Sequence, residues 1–289
     1  MKSRTRLGAT ATGAAMLLLL SPGVAQAHPE RYDEYYEYFD TGDEWIPWHD
    51  TRWVPQGLTK WGEDTLVISY YDMYGEEPSR IGIIDRESGE YVKGFHLDTD
   101  GHVGGLAMTE EFFWVSTGGE LRRYERTDLS VQQSGSTLEA EEAVDVEASS
   151  YAYAEGENVW VGNYNADDWD YMYRYAVDEE GGLTHQETVL TPSAIQGVVV
   201  TDDTIVWSQS EGRTNDSYIM SWPRGVEYNR DWDIGNAVVS PNMSEGMVIA
   251  GGELQVVYES GSDAYNGGDG EAADYIIRSV HHGQIPTLP

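Results

Sequence analysis

Short apolar stretches alternate with polar turns along this chain at an almost constant interval. The segments Gln56-Gly57-Leu58, Gly104-Gly105-Leu106, Ser150-Tyr151-Ala152, Gln196-Gly197-Val198 and Glu245-Gly246-Met247 each open one stretch, and their starts lie 48, 46, 46 and 49 residues apart. A polar turn follows each start, at Gly62–Thr65, Thr109–Phe112, Glu155–Asn158, Thr201–Thr204 and Ala250–Glu253. Apolar and β-branched runs come next, at Leu66–Ser69, Phe113–Ser116, Val159–Gly162, Ile205–Ser208 and Leu254–Tyr258. A third alternating run closes each unit, at Arg80–Asp85, Leu121–Glu125, Tyr171–Val177, Tyr218–Trp222 and Tyr275–Val280. Alternation bounded by turn residues predicts strands, the first two of each unit joined as a hairpin. A repeat of about 47 residues holding three or four short strands predicts a propeller blade. The fold expected is therefore all-β, a single five-bladed β-propeller over residues 53–289. A β-sandwich also supplies many short strands, but it does not repeat one hairpin at one offset five times.

The amino-terminal end reads differently. Lys2, Arg4 and Arg6 precede an apolar run at Met16–Leu20 and then Ala25-Gln26-Ala27. Basic residues, a short apolar run and small residues at a cut predict a signal peptide over residues 1–27. The run is too short to span a bilayer, and a chain with no cysteine cannot carry a lipid-modified one. A secreted, extracellular protein beginning at His28 is expected. Residues 28–52, acidic and aromatic, lie outside the repeat and form either a tail or a strand that completes the last blade.

Composition narrows the partners. Without cysteine there is no disulfide, so stability rests on burial, chiefly of 10 Trp, 20 Tyr and 4 Phe. Loss of the three basic residues of the signal leaves 14 Lys and Arg against 51 Asp and Glu, a formal charge of −37. Nucleic acid and anionic membrane surfaces are excluded as partners by that charge, no membrane insertion is expected, and a soluble acidic monomer is.

In a propeller the innermost strands line a central channel, so one of its mouths gathers the strand starts together with the loops between second and third strands. That mouth should collect Gln56, His102, Ser150, Gln196 and Glu245, with Tyr70, Tyr71, Asp72, Asn163, Tyr164, Trp169 and Glu259 around it. Arg213, Asp263, Tyr265 and Asn266 stand in the same loops. Polar groups above an apolar wall suit a small polar ligand, a sugar or a cation, with tyrosine and tryptophan rings as stacking platforms. His102 and Glu245 are the candidates for proton exchange, and Glu245 and Asn163 for a metal. The alternate oxygens of Asp98-Thr99-Asp100-Gly101 and Asn163-Tyr164-Asn165-Ala166-Asp167 resemble the start of a calcium loop, which makes calcium the candidate cofactor. The opposite face carries acidic turns such as Gly62-Glu63-Asp64-Thr65 and reads as solvated surface.

Val54-Pro55-Gln56-Gly57-Leu58, followed by Ser79-Arg80-Ile81 and Ile84-Asp85-Arg86-Glu87-Ser88-Gly89, resembles the first blade of exported, actinobacterial-type propellers of the quinoprotein or YVTN-like class. The resemblance implies the fold. A weaker similarity, to plant-type glutaminyl cyclases, rests on Gln56-Gly57-Leu58, Ser69, Tyr74-Gly75 and Ser79. Those enzymes carry a Glu-Ser pair on the next strand, where this chain has Ile68; its own Glu-Ser pair is Glu259-Ser260, in the fifth unit. Gluconolactonase-like propellers hold a channel metal through Glu and Asn, the residue types of Glu245 and Asn163. Three classes follow: a ligand-binding propeller, an enzyme (a metal-assisted hydrolase or lactonase, or a cyclase), and an extracellular interaction scaffold.

Overall fold

The computed structural model describes residues 28–231, 234–265 and 272–287; the expected signal peptide lies outside them. The chain enters with a short strand, β1 (Phe39–Thr41), and then builds its blades in order. Blade one holds β2 (Trp53–Lys60), β3 (Thr65–Asp72), β4 (Arg80–Asp85) and β5 (Tyr91–Leu97). Blade two begins with β6 (Gly105–Met108), β7 (Phe112–Thr117) and β8 (Glu120–Glu125). The chain then returns to lay β9 (Thr137–Leu138) parallel to β5 before β10 (Glu142–Asp145) closes blade two against β8. Blade three is β11 (Tyr151–Glu155), β12 (Asn158–Gly162), β13 (Asp170–Val177) and β14 (Leu183–Thr191). Blade four is β15 (Ile195–Val200), β16 (Thr204–Gln209), β17 (Ser217–Pro223) and β18 (Asn236–Ser240). Blade five consists of β19 (Ser244–Ala250), β20 (Glu253–Tyr258) and β21 (His281–Gly283), with β1 as its outermost strand.

The all-β, five-bladed propeller expected from the repeat is thus the fold. The fifth unit differs from the expectation: Tyr275–Val280 is not its third strand. Its backbone is drawn elsewhere, the Tyr275 amide donating to Asn242 Oδ1 (2.9 Å), the Ile277 amide to Ser260 Oγ (3.2 Å), and the Val280 carbonyl accepting from the Gly42 amide (3.1 Å). The third strand comes later, His281–Gly283, pairing on one side with Leu254–Val256 and on the other with Phe39–Thr41.

Inner strands are largely buried, β2 on seven of its eight residues, because each is flanked by two neighbours around the axis; β11 is buried at Tyr151 and Ala152 and half-buried beyond. The outer strand β14 mixes exposed and half-buried positions, as a half-solvated sheet requires. Buried serines lace blades together: Ser69 Oγ donates to the Val103 carbonyl of blade two (2.7 Å), and Ser208 Oγ lies 2.7 Å from Ser244 Oγ of blade five. Two glycines show how closely the inner strands approach. A Cβ on Gly197 would stand 2.5 Å from the Glu245 carbonyl oxygen, and one on Gly246 would stand 2.4 Å from the Leu58 amide. Tyr153, on β11, reaches across the axis and packs against clusters contributed by blades one, four and five. Burial lifts its phenol to about 12.

Candidate functional site

Three inner strands break register where they meet the upper mouth. The ladder slips between Pro55 and Leu58, between Ile195 and Gly197, and between Ser244 and Met247. Each slip is a β-bulge, which re-aims the side chain it carries. The residues carried are Gln56, Gln196 and Glu245. Just upstream of three inner strands the backbone also enters the left-handed region at residues other than glycine: Val103 (φ 47°), Ala194 (φ 57°) and Met243 (φ 64°). Such positions cost about 1–3 kcal/mol each and persist only where the surroundings impose them. Here the Val103 carbonyl is held by Ser69, that of Ala194 by the Ser210 amide and that of Met243 by the Glu259 amide.

Blade five supplies two carboxylates to this mouth. Glu245 is 2% exposed, and Glu259, in the helical turn Glu259–Gly261 after β20, keeps a partial window to solvent. Neighbouring blades meet them with neutral amides: Gln196 Nε2 donates to Glu245 Oε1 (2.9 Å), and Gln56 Nε2 donates to Glu259 Oε1 (2.6 Å). Desolvation raises both acids, and the Glu259 charge adds to the rise at Glu245. Glu259 stands at about 7; Gln56, Tyr265, Arg213 and Tyr71 each pull it down without restoring the ordinary carboxyl range. At neutral pH the pair therefore retains a proton that ordinary glutamates would have lost.

An aromatic wall continues from Glu259. Tyr265 OH donates to Glu259 Oε1 (3.4 Å), the Tyr71 and Tyr265 hydroxyls share a hydrogen bond of 2.9 Å, and the Arg213 guanidinium lies 4.6 Å from the Tyr265 ring centre. His102 lies exposed at the rim with its ring over Tyr71, centroids 3.9 Å apart, and its desolvated side lowers its pKa, favouring neutral imidazole. Tyr164, from the β12–β13 loop, is 38% exposed, and its phenol is raised by burial and by the charges of Glu211, Glu245, Asp167 and Glu259. All five blades contribute.

The structure does not bring every expected residue here. Tyr70 is fully buried on the opposite side of β3, edge-on to Trp48, because consecutive strand residues face opposite ways. Asp72 turns its carboxylate into its own loop, accepting from the amides of Tyr74, Glu76 and Glu77 and pairing with Arg52 (2.9 Å). Asn163 ties the ends of its blade, accepting from the Ser149 amide and donating to the Glu147 carbonyl. Trp169 packs on Tyr228, centroids 5.7 Å apart. Ser150 meets the mouth through its backbone, whose amide donates to the Gly162 carbonyl (2.8 Å). Tyr265 and Arg213, which did not rank among the expected binding residues, belong to the site; their loops face the mouth, but nothing in their spacing marks them.

The Asp98 loop is internally satisfied. Asp98 is taken up by Arg122 Nη2 (2.7 Å), Tyr124 OH (2.7 Å) and the Ala140 amide (3.1 Å). Among the described residues no three His, Asp or Glu side chains converge as a metal site would require. The opposite face has its own relief. A depression of about 620 Å³ opens there, floored by Tyr153, Val200, Val248 and Ile249 and rimmed by Lys60, Glu63, Arg126 and Glu157.

No protein-family model matches the chain, and no curated protein matches it. Among solved structures, Kuenenia stuttgartiensis hydrazine synthase is 12% identical with a TM-score of 0.43, over 76% of this chain and 57% of that one. A functionally unknown protein from Desulfotomaculum acetoxidans is 13% identical with a TM-score of 0.40, over 71% and 62%. A luciferin-regenerating enzyme is 12% identical with a TM-score of 0.42, over 81% and 92%. The chain spans less than two thirds of the first two. Likeness at this level carries no argument about chemistry.

Proposed function

We propose that this protein is an exported β-propeller that binds a small polar ligand at the upper mouth of its channel. One observation carries the reading: a buried carboxylate, Glu245, and a half-buried one, Glu259, are held in the wall by amides from the neighbouring blades, beside tyrosine rings. Burying acids is costly, and bulges together with left-handed backbone at Val103, Ala194 and Met243 add to that cost at the same mouth. Cost concentrated in one place is the mark of a built site. Ligand-induced thermal shift across small sugars and amines tests it. A ligand should raise the melting temperature of the native protein and of Glu63→Gln, and leave Glu245→Gln unmoved; equal shifts in all three would remove the site from this mouth. Export is tested separately, by intact mass of secreted protein, which should begin at His28.

A second reading has its own support. A carboxyl at about 7 beside a second acid can give and take protons at neutral pH. On that reading Glu259 is the general acid–base group, and turnover should vanish in Glu259→Gln while ligand binding persists.

A further inference from the structure

We propose that the ligand of the upper mouth is a small organic cation, an amine or quaternary ammonium group seated between Glu245 and Glu259 against the Tyr71, Tyr265 and Tyr164 rings. This rests on the preceding reading and names its ligand class.

Charge is the first reason. The two acids are hydrogen-bonded by neutral glutamine amides, and the Arg213 charge pulls Glu259 down without returning it to the ordinary carboxyl range, so charge compensation is incomplete. A bound cation would supply it, in surroundings where low polarity strengthens the attraction. The wall is the second reason. Tyrosine faces attract cations, and Arg213 already holds its guanidinium 4.6 Å from the Tyr265 ring centre, the contact an incoming ammonium would make. The donor set is the third. Calcium takes about six to eight oxygen ligands, whereas the anionic oxygens of this mouth are those of two carboxylates already engaged by glutamine amides and a tyrosine hydroxyl. Beneath the mouth Tyr153 packs against residues of blades one, four and five.

Proton exchange follows from occupancy. A cation between the acids favours the doubly ionised pair, so its entry expels the retained proton. The other groups facing the pair do not compete for this role. Tyr71 and Tyr265 have phenols raised by burial and stay protonated, Tyr164 is raised as well, and His102 is shifted toward neutrality.

Titration calorimetry of the native protein with putrescine and with tetramethylammonium chloride, in two buffers of different protonation heat, tests the proposal. Calcium chloride and glucose form the comparison arms. Binding of either ammonium probe should release close to one proton and weaken about tenfold from about pH 8 to about pH 6. Affinity should fall at least about tenfold in Glu259→Gln, which keeps an amide-compatible shape, and be unchanged in Glu63→Gln. Glucose binding without ammonium binding would overturn the cation and leave the small-ligand reading standing. Calcium binding alone would make this a metal site and overturn it as well. Ammonium binding that Glu259→Gln does not weaken, or no heat from any probe, would also overturn it.

Discussion

The two mouths of the channel are built from the same five strands and both carry acids, yet they treat them in opposite ways. At the lower mouth Glu63 is met by Lys60 and by the Gly251 amide, which hold its carboxyl below the usual range. At the upper mouth Glu245 and Glu259 are met by amides inside the wall and pushed above it. The backbone divides along the same line. Left-handed residues in the lower turns, Gly62, Gly156, Gly251 and Gly252, are glycines that adopt it freely, while the upper side adds to its own glycines, Gly75, Gly118, Gly119 and Gly212, the side-chain-bearing Val103, Ala194 and Met243. Total charge is thus a poor guide to chemistry in this protein. What separates the mouths is whether an acid is solvated and paired, or enclosed and strained.

The largest way to break this contrast is to join the mouths. Tyr153→Ala removes the ring that crosses the axis, and it should lower stability by about 2–4 kcal/mol, read by urea denaturation. A loss under about 1 kcal/mol would mean that Tyr153 only borders the lower depression.

The next effect separates the acids by sign. Glu259 has a folded pKa raised above its unfolded value, so its contribution is complete below the ordinary carboxyl range and drains away as pH rises through about 7. Melting temperature should therefore fall between about pH 5 and about pH 8, steeper in the native protein than in Glu245→Gln/Glu259→Gln. The difference in slope should reach up to about 1.4 kcal/mol per pH unit. Parallel curves would show that the upper acids ionise like exposed ones.

Salt sharpens the same comparison. With 51 acids against 17 basic residues in the full chain, chloride should raise the melting temperature by screening surface repulsion. The gap between native protein and upper-mouth variant should survive molar salt, since enclosed charges are screened least. The smallest effect belongs to Glu63→Gln. Its depressed pKa places its contribution above the ordinary carboxyl range, lost as pH falls, and its exposure keeps the change within about 0.5 kcal/mol. A larger loss in differential scanning calorimetry would give the lower mouth a structural weight it does not have here.

The repeat made the fold legible because one hairpin recurs at one offset, and the same offset placed Gln56, Gln196 and Glu245 at the mouth. The fifth blade hid its third strand: Tyr275–Val280 has β-forming residues but no ladder partner, and His281–Gly283 has partners but no apolar pattern. Loops were the other blind spot. Alternation in β3 tells that Tyr70 and Tyr71 face apart but not which faces the mouth. Whether Asp72 or Asn163 points outward or caps its own loop depends on turn geometry that spacing does not encode. Arg213 reaches Tyr265 only because two blades distant by 52 positions in the chain bring their loops together.

The fifth blade has a temporal consequence. Its outer strand, Phe39–Thr41, is made among the first residues of the folded body, and the strand it pairs with, His281–Gly283, among the last. No partial chain can close the ring. A contact of such sequence separation forms late, after the entropy of bringing the two ends together has been met. Synthesis must therefore be finished before the blade that carries Glu245 and Glu259 is complete, so the chain acquires its upper mouth in a single last step. In hydrogen exchange, β1 and β21 should be the first strands to open and the last to gain protection on refolding.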